Sequence, residues 1–175
     1  IRTLKEINKL ISKGFELHKN GDLKGALKNY LKVDKSDNAN STLLFLIGNV
    51  YLQLNEIDNS INYFKKSISK DPNNISALNN LGGALQRNKK YKEAINVYEK
   101  AIKIKPDHID ALTNLANSQA SLKKFSEAIT YYKKIIEIKP DNFVIYNNLG
   151  KAFEEQNNID EAIKKGAVAV VCAKN

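Results

Sequence analysis

Apolar residues recur at spacings of three and four along most of the chain, in segments separated by short polar stretches. One segment carries Leu78, Leu81 and Leu85, and the next carries Ile95 and Tyr98. This spacing places the apolar side chains on one face of an α-helix. The sequence therefore predicts a succession of amphipathic helices and an all-α fold.

The segment ALNNLGGAL, residues 77–85, contains paired glycines of the kind found in phosphate-binding loops. Its leucines nevertheless keep the helical spacing. A glycine inside a helix costs about 1 kcal/mol relative to alanine, but it lets a second helix approach closely. We therefore predict a helix here, with Gly82 at a close helix–helix contact.

Three prolines mark a long-range period in the chain. Pro72, Pro106 and Pro140 are each separated by 34 residues, and each follows an amphipathic segment that it can terminate. A fixed period of this length indicates an array of helix–turn–helix repeats. The predicted organisation is a lead-in (1–6), an array (7–165) with repeats 7–40, 41–74, 75–108, 109–142 and a partial 143–165, and an apolar tail or helix end (166–175).

Other positions of the repeat follow the same period when proline is numbered 32. Small residues occupy positions 8 and 20, and large apolar residues occupy positions 4 and 24, so the first helix (helix A) and the second (helix B) can pack closely. Position 8 is Gly14, Gly48, Gly82, Ala116 and Gly150, and position 24 is Tyr30, Phe64, Tyr98, Tyr132 and then Gly166.

These positions, together with the closing proline, resemble the signature of the tetratricopeptide repeat family. The resemblance covers residues 7–165, is strongest in the three central repeats, and weakens in the first and last. It implies an α-α superhelix of antiparallel helix pairs, a tetratricopeptide repeat solenoid, with helix A lining a concave groove. It also implies a protein-interaction scaffold with no catalytic activity.

Asparagine is frequent at the helix-A positions that line the groove in this family, above all at position 6. An asparagine side chain offers both donors and an acceptor, so a column of them can hold the backbone of an extended peptide. The alternative is a purely structural asparagine column. The predicted groove residues are Phe45, Asn49, Asn79, Asn80, Arg87, Asn114, Asn117, Asn147 and Asn148.

The early repeats add apolar residues to the same positions. They are Ile11, Phe15, Phe45, Leu46 and Leu52. A ligand with an apolar anchor at this end would suit them. Coverage by residues further upstream or by a second subunit is an equal alternative.

Composition narrows the function classes. The net charge of +9 comes from lysines that fall mainly at turns and on helix B, with no interleaved aromatics, so no specific nucleic-acid partner is expected. The longest apolar run, residues 167–173, is far too short to span a membrane. A single cysteine, Cys172, favours a reducing, cytoplasmic compartment. No metal-ligand spacing, catalytic residues or cofactor motif is evident, so we predict no enzyme activity, metal or cofactor.

The C-terminal sequence departs from the repeat. Gly166 replaces the aromatic residue of position 24, and apolar residues follow without polar interruption. We predict that the last helix continues to about residue 172 and that its apolar side contacts another molecule, such as a second copy in a homo-oligomer, or a missing repeat.

Two alternatives to the scaffold stay open: a substrate-selecting or regulatory module cut from a larger enzyme such as a glycosyltransferase, and a self-assembly unit.

Overall fold

The computed structural model describes the backbone of residues 3–35 and 39–174, and their side chains except those of Ala167 and residues 170–174. Within this part of the chain the secondary structure is helical, with no strand, which confirms the all-α prediction. The helices are α1 (Leu4–Lys19), α2 (Leu23–Asp34), α3 (Ser41–Gln53), α4 (Ile57–Lys70), α5 (Ile75–Arg87), α6 (Tyr91–Ile104), α7 (Ile109–Ser121), α8 (Phe125–Ile138), α9 (Phe143–Glu155) and α10 (Ile159–Lys174).

The helices form two compact units, residues 1–88 and 89–175. In the first unit each helix from α1 to α4 packs against the next one along the chain. The segment ALNNLGGAL lies inside α5 and is therefore a helix, as predicted. Large side chains without solvent exposure form the core of this unit, among them Tyr30, Val33, Ile47 and Phe64.

The second unit follows the same plan, with α6 against α7, α7 against α8, α8 against α9 and α9 against α10. Its core includes Leu112, Tyr132, Ile135, Ile145 and Leu149. Helix α10 continues to Lys174, in agreement with the predicted extension to about residue 172. Cys172 lies among the residues whose side chains are not described.

Most of the A helices are capped at the N-terminus by the side chain of the residue that precedes the helix. Asn40, Asn74 and Asn142 accept a hydrogen bond through their side chains from the backbone N–H three residues later, and His108 accepts one through Nδ1. These caps satisfy N–H groups that have no partner within the helix. Part of the asparagine content of the chain, and one of its two histidines, therefore serves to start helices.

At Gly14 and Gly48, close packing at position 8 depends on the absence of a side chain. A Cβ atom placed on Gly48 would lie 2.7 Å from two ring carbons of Phe64, and one on Gly14 would lie 2.5 Å from a ring carbon of Tyr30. The aromatic residue of helix B therefore lies directly on the backbone of helix A. This arrangement is the packing that the repeat pattern predicts.

Each turn between helix A and helix B contains one residue with a left-handed backbone. These residues recur with the repeat period and have φ between 57° and 83°; they are Gly21, Asn55, Lys89, Lys123 and Asn157. Glycine adopts this conformation freely and asparagine with little strain, whereas lysine pays for the close approach of its Cβ atom to the backbone.

Replacing Lys123 with glycine is therefore expected to raise the free energy of unfolding by about 0.5–1 kcal/mol, as relief of strain outweighs the added flexibility of the unfolded chain. Lys139→Gly is a suitable control, because Lys139 is exposed and has φ −137°. Urea unfolding followed by circular dichroism measures both. An equal loss of stability in the two variants would show that the backbone of Lys123 is not strained.

Candidate functional site

The asparagines predicted to bind a ligand form side-chain pairs between neighbouring repeats. In the first unit, Nδ2 of Asn80 donates to Oδ1 of Asn49 at 2.7 Å. Asn49 is at position 9 of its repeat and Asn80 at position 6 of the following one, and both are half-buried. The hydrogen bond fixes the orientation of both side-chain amides where α3 and α5, the A helices of neighbouring repeats, lie side by side. We call such a position 9 and position 6 couple an asparagine pair.

A second asparagine pair occurs in the other unit. Nδ2 of Asn148 donates to Oδ1 of Asn117, over a longer distance of 3.4 Å. The same oxygen accepts a shorter hydrogen bond of 2.7 Å from the hydroxyl of Tyr132. Burial raises the pKa of Tyr132 to about 12, so its hydroxyl stays protonated as a donor near neutral pH. The tyrosine therefore holds the Asn117 side chain in place.

A cavity of about 280 Å³ adjoins this second pair. Its apolar wall consists of Ala120, Phe125 and Ala152, and the two asparagines and Tyr132 supply polar atoms. Ser121, Lys151 and Glu155 also line it. An apolar wall beside a few oriented polar groups is the usual composition of a site that receives a side chain.

The other predicted groove residues are placed differently. Arg87 is exposed at the end of α5, where its guanidinium donates to the backbone oxygen of Leu52 and to Oδ1 of Asn55, at 3.3 and 3.0 Å. Asn147 is exposed and lies beside Gly150, apart from the Asn117–Asn148 pair.

Phe45, Asn79 and Asn114 are half-buried. The ring of Phe45 packs against that of Phe64, with 6.0 Å between centroids. Of the remaining apolar residues expected on the early repeats, Phe15 is exposed by 57%.

Tyr132 is the site residue that the sequence did not single out for hydrogen bonding, because position 24 is explained by packing alone. The signal was present in the combination of a hydroxyl at position 24 with asparagine at position 9, which occurs together only in the repeat 109–142. In the first repeat Phe15 occupies position 9, and the buried hydroxyl of Tyr30 has no hydrogen-bond partner.

Neither a metal centre nor a membrane span is found in the described part of the chain. It contains no group of three or more His, Cys, Asp or Glu side chains that could hold a metal ion. None of its helices combines the length and apolar character needed to cross a bilayer.

Comparison with known proteins identifies relatives of the repeat. The chain matches tetratricopeptide repeat families over residues 73–141 and 131–164, and a TPR repeat family over residues 48–89. No curated protein matches it significantly.

Solved structures of MamA proteins have a similar fold. One crystal structure of MamA is 27% identical and has a TM-score of 0.94, over 98% of this chain and 94% of that one. A second is 29% identical with a TM-score of 0.89, over 92% and 94% of the two chains. MamA from Desulfovibrio magneticus RS-1 is 16% identical, with a TM-score of 0.91 over 97% and 96%, and supports the fold alone.

Proposed function

Because the chain belongs to the tetratricopeptide repeat family, we propose that it acts as a non-catalytic scaffold that binds an extended peptide segment of a partner protein on its A helices. The observation that carries this proposal is the recurrence of the asparagine pair. Asn49 with Asn80 and Asn117 with Asn148 have the same spacing and the same donor and acceptor roles.

The chemistry of a pair suits a peptide backbone. Each pair uses one N–H of the position 6 asparagine and the carbonyl oxygen of the position 9 asparagine. An asparagine amide has two N–H donors and an oxygen with two acceptor sites, so each pair has further hydrogen-bonding capacity of both kinds. A peptide unit needs one donor and one acceptor, whatever its side chain. The pairs therefore favour binding that depends little on ligand sequence.

Apolar residues supply the part of the interaction that depends on ligand side chains. In the first unit, Phe15 is exposed and Phe45 and Leu46 are half-buried. In the second unit, the cavity beside Asn117 has an apolar wall. Burial of apolar ligand side chains stabilises a complex by roughly 25 cal/mol per Å² of area removed from water. We propose that these places anchor the ligand.

The test compares peptide binding by the wild type and a variant carrying Asn80→Ala, Asn114→Ala and Asn148→Ala. A random peptide library displayed on phage supplies ligands, whose affinities are then measured by calorimetry. We expect at least about tenfold weaker binding, because each lost hydrogen bond costs about 1 kcal/mol. Phe45→Ala should also lose affinity, but only for ligands with an apolar anchor.

Asn62 and Asn96 provide the matched control, because both are exposed on B helices at position 22. Their double alanine variant should bind as the wild type does. Equal affinity of the triple variant for every selected peptide, with unchanged helical content, would overturn the role of the asparagine pairs.

Two other predictions about the chain also stand as proposals. Self-association through residues 166–175 is proposed because the preceding turn of α10 leaves Ile163 exposed by 67%, and concentration-dependent light scattering tests it. A cytoplasmic location is proposed from the low cysteine content, since the chain contains a single cysteine.

A further inference from the structure

The side-chain amide of Asn117 is held more tightly than that of Asn49. Oδ1 of Asn117 accepts two hydrogen bonds, from the hydroxyl of Tyr132 at 2.7 Å and from Nδ2 of Asn148 at 3.4 Å. An amide oxygen has two acceptor sites, so this oxygen is saturated. Oδ1 of Asn49 accepts a single hydrogen bond among the described residues, and position 24 of its repeat is Phe64, which has no hydroxyl. The Tyr132 hydroxyl therefore distinguishes the second asparagine pair from the first.

The N–H groups of Asn117 are the part of its side chain that is left for a ligand. Within the described part of the chain its Nδ2 donates no hydrogen bond, and it is not among the buried polar atoms that lack a partner, so solvent reaches it. Asn148 uses one of its two N–H groups and keeps its oxygen. Beside the 280 Å³ cavity the pair therefore offers donors from Asn117 and an acceptor from Asn148.

The rest of the cavity lining is partly apolar and carries no net charge. Its apolar wall is Ala120, Phe125 and Ala152. Lys151 and Glu155, both exposed on α9, contribute one charge of each sign. The hydroxyl of Ser121 donates to the backbone oxygen of Asn117 at 2.9 Å, so it adds no free donor. The cavity therefore suits an uncharged group on an aliphatic stem.

The free donors and acceptor discriminate between the side chains that could enter the cavity. A purely aliphatic side chain would take water away from the N–H groups of Asn117 without replacing its hydrogen bonds. A carboxylate could accept from Asn117, but it would also meet the oxygen of Asn148 and the negative charge of Glu155. An ammonium group would meet the N–H donors of Asn117 and the positive charge of Lys151. A primary amide has one oxygen and two N–H groups, so it can satisfy both asparagines.

We propose that the cavity beside Asn117 and Asn148 selects a glutamine side chain of the peptide ligand. The inference rests on the proposed function and adds a preference at one ligand position. The glutamine oxygen accepts from Nδ2 of Asn117, its amide nitrogen donates to Oδ1 of Asn148, and its two methylene groups pack on the apolar wall. Tyr132 is a positioning residue, because its hydroxyl keeps the oxygen of Asn117 turned away from the oxygen of the ligand.

Peptides selected from the random phage library on the wild type serve as the probes. Selection should enrich glutamine at one peptide position. One selected peptide is then synthesised in three forms, with glutamine, methionine or glutamate at that position, and their affinities are measured by calorimetry. Methionine has a similar length but no amide, and glutamate has a similar shape but a negative charge. We expect the glutamine form to bind about tenfold more tightly than either of the others.

Removing the hydroxyl of Tyr132 tests its positioning role. Tyr132→Phe should weaken binding of the glutamine form by about fivefold and leave that of the methionine form unchanged, whereas a merely structural role would change both. The variant should fold, because Phe64 is completely buried at the same position of its repeat. Tyr30→Phe is the matched control: it removes a buried hydroxyl that has no hydrogen-bond partner, and it should leave both affinities unchanged.

Three results would overturn this inference alone. They are equal affinity of the three peptide forms, tighter binding of the methionine or glutamate form, and a Tyr132→Phe variant that keeps the full preference for glutamine. In each case the triple asparagine variant would still bind the peptides more weakly than the wild type, so the proposed function would stand. Equal affinity of that triple variant and the wild type, or the absence of any binding peptide, would instead overturn the proposed function and this inference with it.

Discussion

Replacing Phe64 with alanine is expected to lower the free energy of unfolding by about 3–5 kcal/mol. The ring is completely buried, lies directly on the backbone of Gly48 and packs against Phe45. Its removal leaves a cavity between α3 and α4 that the neighbouring side chains cannot fill, because glycine offers no side chain to move into the space. Urea unfolding followed by circular dichroism measures the loss.

Phe143 provides a matched control for this prediction. It is also a phenylalanine in a helix of the array, but 48% of it is exposed. Phe143→Ala should therefore cost less than about 1 kcal/mol. A loss below that value for Phe64→Ala would show that the position 24 ring does not support the packing of helix A on helix B.

The fold was predictable because the residues that end the helices and the residues that pack between them recur with the same period. Pro72, Pro106 and Pro140 fix the phase, and the small residues at position 8 then align with the aromatic residues at position 24. The structure places Phe64 on Gly48 in the way this alignment predicts. Local helix propensity alone would have misassigned ALNNLGGAL, where glycine and asparagine are poor helix formers.

The turns were less predictable than the helices. Gly21 and Asn55 are typical of a left-handed backbone, but Lys89 and Lys123 adopt it as well. Neither lysine is a residue type that favours this conformation. Only the alignment of each lysine with Gly21 and Asn55 in the repeat indicates a left-handed backbone. The packing of the flanking helices maintains the strained residue.

The candidate site was only partly predictable for a related reason. The sequence identifies the asparagines at positions 6 and 9, but not that Asn80 donates to Asn49 across 31 residues. Such a hydrogen bond depends on side-chain rotamers and on the distance between repeats, and neither can be read from the types of the two residues. The same holds for Arg87, whose donation to the end of α3 at Leu52 depends on the packing of α5 beside it.

Enlarging Gly48 tests the same helix–helix contact from the opposite side. A Cβ atom at this position would lie 2.7 Å from the ring of Phe64, well inside ordinary contact distance. The repeat 109–142 has Ala116 at the equivalent position, buried in the same core cluster as Tyr132, so the architecture accommodates one added methyl group at position 8. Gly48→Ala should therefore be only mildly destabilising, because the better helix propensity of alanine offsets part of the displacement.

Gly48→Val adds two further methyl groups and a restricted χ1 angle, and should lower the free energy of unfolding by about 3 kcal/mol. Gly166→Val is the control, since a Cβ atom there meets nothing within 4 Å, and it should change stability by less than about 1 kcal/mol. The difference between the two valine variants measures how strongly the ring depends on a bare backbone. Equal stabilities would contradict the close approach of α3 and α4, whereas a graded loss from Gly48→Ala to Gly48→Val would support it.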